Sequence, residues 1–197
     1  MEGQKKMKKK IIVILLALLV PAASLMATPW IQVGANVGYS PALNFEDTSD
    51  FVDGFSDLQN YKFGAEARIN LFDWVSLAVP GTFALDFSQF DIQPSVNLNL
   101  PLGFLDIALG VGAKMQISND NGNWYMNGSS FSQAGNAFLN SNFLYRGALT
   151  FNLGFLGIGL AAAVPSSGTF SEMGELDAWT PQWESTAISA SVLVNFF

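Results

Sequence analysis

Chemistry in this 197-residue chain has to come from carboxylates, ammonium and guanidinium groups, hydroxyls and amides, because it contains no histidine and no cysteine. Lack of histidine removes the commonest general base and metal ligand. Lack of cysteine removes disulfides, thiolate metal sites and a lipid-bearing N-terminal Cys. Asp86 and Asp91 could in principle cooperate as a carboxylate pair, but a turn acid beside an ion pair accounts for them more simply. Two acidic stretches, Glu46, Asp47, Asp50, Asp53 and Asp57, then Glu172, Glu175 and Asp177, offer oxygens of the kind Ca²⁺ takes. Neither has the fixed spacing of an EF-hand, and solvated loop charge is the simpler reading. No metal and no cofactor is expected.

Charge placement is more informative than charge chemistry. Met1 to Lys10 carries five lysines, Ile11 to Val20 is an unbroken apolar run, and Pro21 with small residues leads to Ala27. A basic head, a short apolar middle and a small-residue end make a secretory signal peptide. The run is too short for the ~20 residues of a membrane-spanning helix. We therefore expect residues 1–27 to be a cleaved signal and residues 28–197 a single domain. That domain has four basic and fifteen acidic residues, a net charge of −11, so nucleic acid is not an expected partner.

The elements that position these charges follow from period-2 alternation. Eight segments show it: 31–39, 61–71, 75–87, 92–100, 105–117, 143–153, 156–164 and 188–196. Their connections alternate in kind. Tight turns lie at 72–74, 101–104 and 154–155. Connections at 41–60, 88–91, 118–141 and 165–183 occupy the other end, three of them long and polar. Even strand number with short turns at one end is the pattern of an antiparallel up-and-down transmembrane β-barrel. Pro80 and Pro94, which cannot donate to a ladder, are read as local bulges.

The charges also orient the two faces. Lys62, Glu66, Arg68, Asp86, Asp106, Lys114 and Arg146 fall on the polar phase, whereas the apolar phase is a band of Val, Leu, Ile and Phe with no charge. Seven charges are too few to solvate a soluble exterior, and an exposed band of that size exceeds what a soluble monomer tolerates. Lipid outside and a narrow charged lumen satisfy both faces. Isolated lumen charges would be costly, so ion pairs are expected: Glu66 with Arg146 or Lys114, and Asp106 with Arg68.

A repeat marks the short-turn end. Asn70, Asn99, Asn152 and Asn195 stand at the foot of every descending strand, all on the polar phase. Trp30, Phe72, Trp74, Phe104, Phe155 and Phe196, with Phe197, would form an aromatic girdle at the membrane–water interface. In the predicted loop 118–141, Trp124, Tyr125, Phe131 and Phe138 stand among Asn, Ser and Gly. Contact with a partner or with lipopolysaccharide-type headgroups would explain them, and so would packing onto neighbouring loops.

The last strand ends Val192-Leu193-Val194-Asn195-Phe196-Phe197, which resembles the C-terminal signal that barrel-assembly machinery recognises, with Phe197 as its terminal residue. Together with the signal segment and the eight spans, the chain resembles the small eight-stranded outer-membrane proteins of the OmpA, OmpX and OmpW type. The resemblance covers the mature chain as architecture and implies an all-β barrel in a bacterial outer membrane. Its implied partners are outer-membrane lipid and, during insertion, the assembly machinery. No peptidoglycan-binding domain is expected after the eighth strand, so that role is not expected to carry over. Enzymes among such barrels rely on a histidine at the extracellular rim, so a non-enzymatic protein is expected here. Two functions remain. One is a surface-interaction, adhesive or structural barrel with a plugged lumen, meeting extracellular partners through loops 41–60, 118–141 and 165–183. The other is a narrow channel or transporter for small, hydrophobic molecules, as the OmpW type implies.

Overall fold

Alternating β-branched and aromatic residues favour extended chain with one face apolar. Here they build eleven antiparallel strands in one sheet, seen in a computed structural model that describes residues 28–40, 54–120, 122–130 and 134–197. The predicted signal segment 1–27, the acids Glu46, Asp47, Asp50 and Asp53, and Phe131 lie outside the described residues. The ring consists of β1 (Ile31–Tyr39), β2 (Tyr61–Phe72), β3 (Val75–Ala84), the collinear pair β4 (Gln89–Ile92) and β5 (Ser95–Leu102), and β6 (Leu105–Asp120). Beyond the short β7 (Asn123–Met126) and β8 (Ser129–Ser130), it continues through β9 (Asn142–Leu153), β10 (Leu156–Thr169) and β11 (Ala187–Phe196). Each stave pairs with the next, and β11 pairs with β1 from Ile31↔Phe196 to Tyr39↔Ile188. The sheet thus closes on itself as eight staves, which removes its edges.

The prolines do not act as bulges. β2 and β3 hold one register through Glu66↔Pro80, and β4 and β5 keep the same register against β3 on either side of Pro94. Pro80 O accepts from Gln93 N (3.0 Å) and Pro94 O from Ala113 N (3.0 Å). The reciprocal bond of each pair is lost for want of an N–H. One bond is cheaper than a slip, because a one-residue shift would send every lumen charge to the outer face.

Turns at one end are two residues long. Gly103 and Gly154 have φ of 76° and 74°, at the first central position of the hairpins closed by Leu102↔Leu105 and Leu153↔Leu156. Positive φ there is the sign pattern of a type II′ turn, which suits glycine and the twist of the strands. At the other end, β6 runs on past the ring and pairs with β7. Asn127 and Gly128, both with positive φ, turn β7 into β8 as a type I′ hairpin. Helix α1 (Ala134–Leu139) follows, so the predicted loop 118–141 is a folded cap over much of its length.

Asp86 requires a correction. β3 ends at Ala84 and Phe87 takes φ 54°, so Leu85–Ser88 is a turn and Asp86 is exposed at the long-loop end rather than in the lumen. Its Oδ1 accepts from the Ser88 hydroxyl (2.7 Å) and backbone N–H (3.0 Å), and these bonds hold its carboxyl below the usual range. The predicted connection 88–91 is mostly strand β4, which carries Asp91 into the lumen, where it is buried.

The two faces differ as hydrocarbon and ion cluster differ. Leu109 on β6 is 66% exposed and the outward valines, leucines and phenylalanines resemble it, while Glu66 on the opposite phase is 1% exposed. Leu109→Arg is expected to cost ~2–4 kcal/mol at mid-wall. Asn97→Asp, which places a carboxylate in the cavity shared with Arg68 and Arg146, is expected to be near neutral. Refolding of both variants into lipid vesicles along a urea series checks the difference, and equal penalties would refute the assignment of faces.

Candidate functional site

Residues two apart share a face of a strand, so β2 stacks Lys62, Glu66 and Arg68 as a column of alternating charge. β9 presents Arg146, Thr150 and Asn152 across the lumen. Glu66 is the pivot. Its Oε1 accepts from Arg68 Nε (2.7 Å) and from Arg146 Nη2, and its Oε2 accepts from Asn36 Nδ2 (3.2 Å). Arg68 reaches onward, Nη1 donating to Thr150 Oγ1 (2.5 Å). Space for that guanidinium comes from Gly159, where an added Cβ would lie 2.8 Å from Arg68 Nη2 and 2.4 Å from Ser191 Oγ.

A second layer lies toward the long-loop end. Lys62 Nζ bonds Asp91 Oδ2, and Gln89 Nε2 donates to Asp91 Oδ1 (2.7 Å). Asp91 therefore meets a lysine, not Asp86, and the two carboxylates are not brought together. Lys114 makes no ion pair with a described residue. Nor does Asp106 pair with Arg68. Its Oδ2 accepts from Asn152 Nδ2 (2.6 Å), while Arg68 bonds Glu66 through Nε and Thr150 through Nη1.

The four asparagines make the third layer. Gln32 Nε2 donates to the Oδ1 atoms of Asn195 (2.7 Å) and Asn152 (3.2 Å), and Asn99 Nδ2 donates to Asn70 Oδ1 (3.4 Å). Their main chains carry a regularity that side-chain reading misses. Asn70 N donates to Trp30 O (2.8 Å), Asn99 N to Trp74 O (2.9 Å), Asn152 N to Phe104 O (2.7 Å) and Asn195 N to Phe155 O (2.9 Å). Each bond is the last rung between a descending strand and the aromatic residue that opens its neighbouring ascending strand. The sequence signal was present in the aromatic that precedes every ascending strand. Trp30, Phe72, Trp74, Phe104, Phe155, Phe196 and Phe197 are all exposed at this end.

Cavities flank the Glu66 pivot. One of about 20 Å³ is lined by Arg68, Asn97, Arg146 and Thr150, and one of about 30 Å³ by Asn36, Lys62 and Asp91. The smaller is room for about one water. Arg68 Nη2, Arg146 Nη1 and Asn97 Oδ1 are buried without a protein hydrogen-bond partner. Ser76 Oγ donates to Asn99 Oδ1 (2.9 Å) and Thr150 Oγ1 accepts from Arg68, so neither hydroxyl meets a general base. Among the described residues no three potential ligands gather around a metal position. Two of the described loop acids are turn caps. Asp57 Oδ1 accepts from Gln59 N (2.9 Å), and Glu172 Oε2 accepts from Thr169 N (2.9 Å) and Oγ1 (3.0 Å). These bonds from Thr169 hold the Glu172 carboxyl below its usual range.

The loop aromatics form a cluster that sequence reasoning did not assemble. Phe143 on β9 stacks on Trp179 (4.5 Å between centroids) and tilts against Phe170 (4.5 Å), which stacks on Phe138 (5.0 Å). Trp124 is exposed and apart from it.

No family model matches the chain, and no curated protein matches it. Among solved structures, the crystal structure of Neisserial surface protein A (NspA) is similar, with a TM-score of 0.42 and 9% identity over 87% of this chain and 100% of that one.

Removing the pivot should expose the cost of the network. Glu66→Ala leaves two buried guanidiniums uncompensated, and breaking a buried pair in this way costs about 3–5 kcal/mol. Glu66→Ala combined with Arg146→Met is expected to recover part of that loss. Equilibrium unfolding of both variants in detergent micelles checks the order, and a double variant weaker than the single one would show that Glu66 does not pair with Arg146 energetically.

Proposed function

We propose that this chain is a non-enzymatic barrel of the bacterial outer membrane, closed through its lumen by charged side chains and acting through its surface loops. The observation that carries the reading is the inversion of its two faces. Apolar residues from Val33 to Val194 are exposed around the wall without a charge among them, while Glu66, Arg68, Asp91 and Arg146 are buried inside. Water outside would leave that wall as an apolar patch far beyond a few hundred Å², whereas hydrocarbon outside makes it the favoured surface. Hydrocarbon also demands that backbone polar groups be paired within the chain, which a closed ring of strands accomplishes.

Closure of the lumen follows from the ion cluster. An eight-stranded ring has an interior just wide enough for its own side chains, and Glu66 with its two arginines spans it between cavities of about 20 and 30 Å³. Surface contact is then the work left to the chain, through the folded cap of β7, β8 and α1 and through residues 170–185. The turns at 73–74, 103–104 and 154–155 face the periplasm in this reading.

Protein reconstituted in a planar bilayer should give only rare, small openings, and Glu66→Ala should make them more frequent. A steady, large conductance from the unmodified protein would refute the plugged barrel and favour the channel or transporter. Orientation has its own check. In cells bearing single cysteines, an impermeant maleimide should label Glu184→Cys and spare Asp73→Cys, and the reverse pattern would overturn the topology.

A further inference from the structure

The wall between β3, β5, β6 and β9 carries an apolar groove of about 450 Å³ on its outer side. Its floor is the outward phase of the barrel, Val79, Val96 and Val111, all exposed. Its roof is not part of the barrel. Phe138 comes from α1, and Phe170 and Met173 from the segment after β10. That segment doubles back over the outer wall. Ser167 N donates to Thr180 O (2.8 Å) and Gln182 N to Pro165 O (2.8 Å). Gly168 allows the fold-back, since a Cβ there would lie 2.3 Å from Ala178 Cβ.

The roof is built rather than draped. Tyr145 Oη donates to Trp179 O (2.7 Å), Trp179 Nε1 to Met173 O (3.1 Å), and Phe170 N to Ser141 O (3.1 Å). Asn127 Nδ2 fixes α1 by donating to Ala137 O (2.9 Å) and Ser141 Oγ (2.7 Å). Phe143, on the outward phase, is buried beneath this layer by Phe170 and Trp179. A preformed roof therefore stands over a surface otherwise open to the surroundings of the barrel.

We propose that this groove holds one acyl chain of an outer-leaflet membrane lipid, gripped by its hydrocarbon and not by its headgroup. The proposal rests on the membrane reading above. Continuity argues for lipid as the occupant, because the floor runs without interruption into the lipid-facing wall and the strands separate it from the charged lumen. Charge argues against headgroup recognition. All four basic residues of 28–197 lie on the lumen phase, and the roof segment carries only acids, Glu172, Glu175 and Asp177. A phosphate or a free fatty-acid carboxylate would find no cation there.

Trp179 beside the groove and Trp74 in the opposite turn make the test. Two single-tryptophan proteins, one keeping Trp179 and one keeping Trp74, are reconstituted in vesicles of phosphatidylcholine brominated at mid-chain. Both should be quenched. Filling the groove with Val96→Phe and Val111→Phe should reduce Trp179 quenching several-fold and leave Trp74 quenching unchanged. Trp74 quenched with Trp179 silent, or with Trp179 indifferent to the filled groove, would overturn the acyl-chain site while sparing the membrane reading. If neither tryptophan is quenched, the membrane reading fails and the proposal with it. Trp179 quenching by bromododecane added from water, without quenching by the brominated lipid, would assign the groove to a water-delivered hydrocarbon and also overturn the proposal.

Discussion

Strand β1 pairs with β11 over nine residue pairs, from Ile31↔Phe196 to Tyr39↔Ile188, and this closure divides every strand side chain between two environments. An open sheet of eight staves would leave two rows of unpaired N–H and C=O groups, each costly where water is absent. Once the ring is closed, the side-chain period of two does the rest. Moving one residue along a strand of the ring exchanges the apolar outer face for the polar lumen. This is why the prolines are tolerated in register: losing one ladder bond at Pro80 or Pro94 is a local cost, whereas a slip on β2 would carry Lys62, Glu66 and Arg68 together into the wall.

The lumen shows what the closure then requires. Three charged groups on one strand cannot be buried singly: Arg68 pairs with Glu66 on β2 itself, and the remaining partners come from other strands. Glu66 takes Arg146 from β9, 80 residues away, and Lys62 takes Asp91 from β4. Small residues opposite β2 are part of the same arrangement. Gly159 and Ser191 leave the volume into which the Arg68 guanidinium extends, so the size of one wall is matched to the reach of another.

Much of this was legible in the residues. Strand number, the alternation of short and long connections, and the polarity of the two faces all follow from period-2 patterning, because a half-buried strand cannot hide that period. Reading failed where alternation outlasts the strand. Phe83, Leu85 and Phe87 alternate on past Ala84, and only the positive φ of Phe87 shows that the chain has already turned, which misplaced Asp86. Asn127-Gly128 was a visible hairpin signal, but its arms are four and two residues long, too short for periodicity to declare them strands. Asp106 was matched to the wrong partner because pairing depends on which acceptor reaches Arg68 first in space. Packing of the 118–141 aromatics onto neighbouring loops was one of the two readings, and Phe138 does stack on Phe170; which residues would meet was not legible, since that depends on residues 170–179 returning across β9.

The two ends of the barrel are consequently built on different principles. At the short-turn end, four asparagines and four aromatic residues repeat one rung: backbone N–H to the carbonyl of Trp30, Trp74, Phe104 or Phe155. Such a rung needs no particular partner side chain, so it can be reused at every strand pair, and it fixes the circumference where the turns are tightest. At the other end the described connections differ: one extends β6 into a hairpin and helix, and one folds back over the wall. Irregular backbone survives there because a rigid ring below bears the strand registers, leaving the loops free to spend their aromatics on a roof rather than on holding the barrel together. The proposed surface contacts would therefore fall at that end, where the chain presents side chains that closure of the ring does not consume.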